Sequence, residues 1–201
     1  MVATMVEDHH KLEQADDEQV LRGIRESLDA LPQLPGYRAE IINGGLIVTP
    51  AGTPEHGLRA SRLYRALIPV MDKRSWDAWT GTVDVCVEGP RDQLEPDFVL
   101  APLGCPRWGP REFLSSGLIM VAEVVSPSSV RQDREDKPDL YATGLVPIYL
   151  LIDPLAAPPS VTVFSGIEGG AYRTVSTVPM GKPLHLPDPV DFELDTSIFK
   201  V

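Results

Sequence analysis

Cysteine is scarce in this chain: Cys86 and Cys105 are the only two among 201 residues. Two thiols so placed exclude a disulfide framework and offer no zinc-type ligand spacing. Long apolar runs are missing too, and none approaches the roughly 20 residues that cross a bilayer. The opening stretch, Met1 to His10, turns polar too soon for a secretory signal, so a soluble cytoplasmic protein is expected. Internal repeats are absent. Hydrophobic residues make up 43% and charged residues 23%, ordinary globular proportions that exclude a fibrous or wholly disordered chain. Basic residues are in deficit, 18 against 29 acids, for a net charge of -11. A shortage of Lys and Arg argues against a phosphate-backbone partner. The distribution softens that argument, because residues 1–35 and 183–201 together carry -8 and the central stretch only -3. An acidic whole can still hold a locally basic groove.

The length suits one domain with a substantial core, preceded by an acidic extension over residues 1–35. Leu21, Ile24 and Leu28 share one helical face, which predicts a peripheral helix from about Asp16 to Ala30, stopped before Pro32 and Pro35. From residue 36 to 201 the pattern is that of a mixed α/β sheet. Tyr37 to Pro50 reads as a hairpin turned at Asn43-Gly44, since both turn positions need positive φ. Thr53 and Pro54 open a helix running to about Lys73. Strands are predicted over Trp79–Val87, Pro96–Ala101, Leu118–Val125 and Ile148–Ile152, the last two apolar enough to be buried on both faces. A helical stretch from Ser128 to Thr143 separates that pair. A late hairpin covers Val161–Phe164 and Tyr172–Val175, and the tail is rich in proline and acid.

Three ionisable residues stand where a core pattern would not put them. Asp97 precedes the apolar run Phe98-Val-Leu-Ala, Glu123 lies inside Val121-Ala-Glu-Val-Val, and Lys137 follows one helical stretch later. A carboxylate desolvated in a strand costs several kcal/mol and tends to protonate. Two on neighbouring strands repel each other. A divalent cation between them reverses both effects, because its charge dominates the site. Oxygen ligands without a His or Cys cluster select a hard ion, Mg²⁺ or Mn²⁺. Such an ion activates a water and orients a phosphodiester for in-line attack. Lys137 would hold or deprotonate that water, or stabilise charge growing on the phosphate. The bland readings are a solvated strand cap for Asp97, a salt bridge for Glu123 and an exposed charged face for Lys137.

These residues, in this order, resemble the bacterial restriction-endonuclease family of the Uma-two type, a branch of the PD-(D/E)XK nucleases. The resemblance runs from about residue 36 to 198. It rests on the Tyr37-x-x-Glu40 hairpin, Pro54-Glu55-His56, Glu95-Pro96-Asp97, and Val121-Ala-Glu-Val-Val-Ser-Pro-Ser-Ser129. Asp133-x-x-x-Lys137-x-x-x-Tyr141 and Gly144 to Pro154 complete it. It implies a restriction-endonuclease-like mixed sheet flanked by helices, with Asp97 and Glu123 as metal ligands and Asp97, Glu123 and Lys137 as the catalytic set. The superfamily's lysine falls two residues after the second acid, where Val125 stands here. The resemblance moves that role to Lys137.

Further candidates follow. Glu40 is a possible additional carboxylate. His56 either meets substrate, moves a proton, or is structural. Tyr141 shares the Lys137 helical face and either orients the amine, touches phosphate, or packs. Arg131 and Arg134 are the substrate-binding candidates. Arg59, Arg62 and Arg65 form either a basic stripe or a solvated face. Trp76, Trp79 and Trp108 are not interleaved with bases and read as core or partner surface. Pro138 disfavours a helical residue before it, so the helix either starts at Lys137 or kinks there, with a start favoured. The functional expectation is a Mg²⁺- or Mn²⁺-dependent endonuclease acting on DNA as a homodimer. The competing reading is a catalytically inactive nuclease-fold binding or assembly module. A carboxylate-pair glycosidase is a third class, with nothing in the sequence to suggest sugar recognition.

Overall fold

The computed structural model describes residues 19–201 apart from 33 and 82. A first helix, α1, runs through 19–29, so residues 16–18 of the expected N-terminal helix lie outside the described residues. Strands β1 (Tyr37–Ile42) and β2 (Gly45–Pro50) form the expected hairpin, with Asn43 at φ 51° and Gly44 at φ 68°. The turn amides of both residues donate to the carboxylate of Asp92 at 2.9 Å, which pins the hairpin to the body of the protein.

Helix α2 spans Pro54–Arg74. Its N-cap is Thr53, whose hydroxyl accepts from the His56 amide, and Ser75 closes it in the left-handed region. Leu63, Leu67 and Val70 give it one buried face, while Pro69 lies on the exposed side, where a missing amide donor is tolerated. Strands β3 (Trp76–Trp79), β4 (Asp84–Cys86), β5 (Gln93–Leu94), β6 (Phe98–Pro102) and β7 (Glu112–Leu114) follow. The single strand expected over Trp79–Val87 is therefore two. β3 pairs with β6 in one sheet and β4 with β5 and β7 in another, and the chain changes sheets through Gly81 at φ 59°.

Strands β8 (Met120–Val124) and β9 (Ile148–Asp153) are buried along their whole length, as their apolar runs require. They are parallel, so the chain must cross back between them. It does so through helical residues 130–143, made of a π-helical turn (Gln132–Asp136) and helix α3 (Lys137–Thr143). Lys137 was expected to begin its helix. Instead it sits inside a continuous one, at φ -67° and ψ -36°, and donates its amide to the carbonyl of Gln132 five residues back. The wide turn absorbs the missing amide of Pro138 that a regular ladder would demand.

Strands β10 (Ser160–Glu168) and β11 (Ala171–Pro179) extend the sheet, and the acidic, proline-rich tail, for which the sequence predicts no strand, forms the hairpin β12 (Pro183–Leu186) and β13 (Phe192–Asp195). The larger sheet runs β11-β10-β9-β8-β6-β3 and the smaller β2-β1-β5-β4-β7. One face of β8 and β9 packs under α2, with Leu63, Leu67, Phe98, Met120 and Ile148 in its core. The other face packs toward the smaller sheet and α3, with Val85, Leu94, Val121, Tyr141 and Tyr149. Among the described residues no helix is long and apolar enough to cross a membrane.

Candidate active site

β6 and β8 run antiparallel with Phe98 opposite Ala122. The ladder stops there, and Asp97, just before β6, shares a cavity with Glu123 near the end of β8. Residues two apart in a strand project from the same face, which puts Glu123 with Val121 toward the smaller sheet. The Val124 amide donates to Asp97 Oδ2 at 2.8 Å and ties the two strand ends together. Glu40 reaches the same place from β1, where the Glu95 amide holds its Oε1 at 2.9 Å. Lys137 arrives from the crossover helix. The two acids and the amine of the sequence reading thus converge, together with Glu40, His56 and Tyr141.

Lys137 is 3% exposed, and its Nζ lies 2.9 Å from Glu123 Oε1, 3.2 Å from Asp133 Oδ1 and 3.3 Å from Glu40 Oε1. Burial would lower the ammonium's pKa, but Glu123, Glu40 and Asp133 outweigh it and hold the group charged well above its ordinary range. Glu123, 2% exposed, also accepts from the Tyr141 hydroxyl at 2.9 Å on the same Oε1. Its pKa is pushed well up by burial, opposed by Lys137 and reinforced by repulsion from Asp97, Asp133 and Glu40. Burial raises Asp133 as well, against Lys137 and the Ser129 hydroxyl that donates to its Oδ2.

Asp97 goes the other way. Burial pushes it up, yet the His56 hydrogen bond, the Arg38 charge and the Val124 amide hold it below the usual carboxylate range. Arg38 donates to Oδ1 at 2.6 Å. His56 Nε2 lies 2.7 Å from the Val124 carbonyl and 3.1 Å from Asp97 Oδ2. Two acceptors on one ring nitrogen require that Nε2 carry the proton. Gly52 stacks against this ring, and a Cβ there would come within 2.6 Å of His56 Cγ.

Three contributors were not singled out by sequence: Arg38, Asp133 and Ser129. Asp133 heads the Asp133-x-x-x-Lys137 motif, whose four-residue spacing puts the pair on one face, but it sits in a run of charged residues where nothing marks it as buried. Arg131 and Arg134 do not line the cavity. Arg131 is an exposed side chain beside Glu135 and Asp136, and Arg134 is held by Asp153 at 2.8 Å. Arg59 and Arg62 hydrogen-bond the carbonyls of Phe199, Ile198 and Lys200 and so hold down the C-terminal 3-10 turn.

A cavity of about 20 Å³ lies between these groups, lined by Glu40, Asp97, Glu123, Asp133, Lys137 and His56 among others. That is room for about one water or one small ion. Among the described residues no three His, Cys, Asp or Glu side chains form a ready ion cage, because Lys137, Arg38 and His56 already engage the acids. The donor chemistry nevertheless fits a hard cation. Four carboxylates, Glu40, Asp97, Glu123 and Asp133, gather here around Lys137 and Arg38. Asp133 Oδ1 is buried without a hydrogen bond, its approach to Lys137 being off-line. Both hydrogen bonds to Glu123 fall on one oxygen.

A mixed sheet that brings two acids together near the ends of adjacent strands, met by a lysine from a crossover helix, is a nuclease-like architecture. The sequence pattern of the Uma2 family, described as "Putative restriction endonuclease", matches residues 25–197, and the chain belongs to that family. Its fold is similar to a crystal structure from Anabaena variabilis described as "a putative nuclease belonging to DUF820". The TM-score is 0.65 at 16% identity, covering 87% of this chain and 95% of that one. Among curated proteins none matches.

Proposed function

We propose that this protein is a Mg²⁺- or Mn²⁺-dependent endonuclease that hydrolyses phosphodiester bonds of DNA. The observation that carries the reading is the convergence of Asp97, Glu123 and Lys137 on one cavity, with Lys137 Nζ 2.9 Å from Glu123. Asp97, Glu123 and Glu40 would hold the cation. When bound, it supplies positive charge that activates a water and offsets charge growing on the phosphate.

The chain's own residues do the rest. Lys137, ringed by three carboxylates, stays an ammonium, so it serves as a fixed positive charge toward water and phosphate and not as a base. Arg38 and His56 hold the two oxygens of Asp97 in place. Tyr141, fully buried, orients Glu123 and does not reach a phosphate. Cleavage of both strands calls for two such sites, which a homodimer with a two-fold axis would supply.

The test is nicking of supercoiled plasmid with Mg²⁺, Mn²⁺ or chelator, comparing wild type with Asp97→Asn and Glu123→Gln. Metal-dependent nicking lost in both variants is expected. Equal nicking in all three, or none with any metal, overturns the reading. One observation favours an inactive binding or assembly module instead: the acids are already engaged by cations of the chain itself. Calorimetry separates the two, since a module of that kind gives no carboxylate-dependent Mn²⁺ binding.

A further inference from the structure

A second, larger cavity of about 640 Å³, also lined by Arg38, opens between α1 and strands β1, β5, β4 and β7 of the smaller sheet. Arg38 lines both this cavity and the acid-lined one. Its guanidinium meets Asp97 at 2.6 Å on one side and Glu95 at 3.7 Å on the other. Around the mouth stand the most exposed aromatic side chains of this part of the molecule, Tyr37 at 56% and Trp108 at 47%. Trp108 is not loose: the Arg91 guanidinium lies 4.2 Å from its ring centroid, and its amide donates to the Glu112 carbonyl at 3.0 Å. One ring face is thus braced by a cation, which leaves the other for a ligand.

The walls say what kind of ligand. Arg25 pairs with Glu112 at 3.1 Å, Arg111 with Asp84 at 3.5 Å, and Arg38 with Glu95. Each positive charge lining the cavity already faces a carboxylate, so the cavity does not attract a phosphate. Gln93, Asp84 and Glu95 offer hydrogen-bonding groups in the same cavity wall as the two aromatic rings. A neutral planar group with donors and acceptors on its edge matches that combination.

We propose that this cavity is a nucleobase subsite, which takes a base of the substrate strand by stacking on Trp108 and Tyr37 while the adjacent phosphate lies against the acid-lined site across Arg38. The inference rests on the phosphodiesterase reading above for its substrate class. A base must leave a helical stack to enter, so a single-stranded or locally opened strand is the form that binds.

The experiment is a fluorescence titration of full-length protein into a short single-stranded oligonucleotide carrying 2-aminopurine, with chelator present so that no cleavage occurs. Wild type is expected to quench the probe, and Trp108→Ala and Tyr37→Ala to bind about tenfold more weakly, within the range that base–aromatic stacking supports. Trp108→Phe, which keeps a ring, should recover most of the quench, and this recovery guards against a merely misfolded alanine variant. Absence of quenching when anisotropy shows the oligonucleotide bound, or equal binding by wild type and both alanine variants, overturns the subsite. Equal quenching of the free 2-aminopurine nucleoside at the same concentration overturns the assignment to a strand. Plasmid nicking without quenching sinks the subsite and leaves the nuclease reading standing. Quenching that depends on Trp108 in a protein that never nicks DNA does the reverse.

Discussion

Replacing Lys137 by methionine keeps the length of the side chain and removes only the ammonium. That charge lies within 3.3 Å of three carboxylates and is 3% exposed. Removing one partner of a buried ion pair costs about 3–5 kcal/mol, because the remaining charge is stranded. Protonation limits the cost. Burial already raises the folded-state pKa of Glu123 and Asp133, so the native protein binds more protons than the unfolded chain above the ordinary carboxylate range. Stability from these groups is therefore full at low pH and falls as pH rises toward their folded values. The Lys137 pKa is raised above its ordinary value, so its contribution is fully present through neutral pH and fades only in strong alkali. Lys137→Met should thus lose about 3–5 kcal/mol at pH 8 and about half that or less at pH 5, where the acids neutralise themselves. Urea unfolding in chelator, followed by tryptophan fluorescence at both pH values, measures this. Mn²⁺ should restore part of the loss at pH 8 by binding the folded state. An equal loss at pH 5 and pH 8 would refute the idea that this ammonium balances buried carboxylate charge.

Two further outcomes follow from the geometry. Gly52→Ala must push the His56 ring off Asp97, since the new Cβ would lie within 2.6 Å of Cγ. Plasmid nicking should fall about as far as in His56→Ala while the melting temperature moves little, and wild-type nicking by Gly52→Ala would show that His56 does not position Asp97. Tyr141→Phe removes a buried hydrogen bond to Glu123 and should cost about 1–2 kcal/mol in urea unfolding, with nicking reduced much less than in Lys137→Met. Abolished nicking with unchanged stability would instead put the hydroxyl among the reacting groups.

Much of the fold was legible because the signals were local. Asn43-Gly44 dictates a hairpin through its own φ preferences, Thr53 and Pro54 mark a helix start, and the apolar runs of β8 and β9 can be stable only with both faces covered. Where the reading failed, the deciding contact was distant. The stretch from Trp79 to Val87 looks uniform, yet its two ends pair with different sheets. Lys137 looked like a helix start because Pro138 follows it, but a wide turn upstream let the helix pass through. The pairing of β12 with β13 was hidden by prolines that the structure places at strand ends and turns.

The same division governs the site. Residue identity alone determined that Asp97 and Glu123 were out of place in a core, since a charge within or beside an apolar run is costly wherever the chain folds, while Lys137, in a charged run, stood out only through the motif order. Tertiary structure alone decided that Glu40 and Asp133 share the ammonium with Glu123, that Arg38 and His56 hold Asp97, and that Arg134 belongs to Asp153. Electrostatic partnership depends on distance and burial, and for residues dozens of positions apart both are set by how the strands pair and the helices pack.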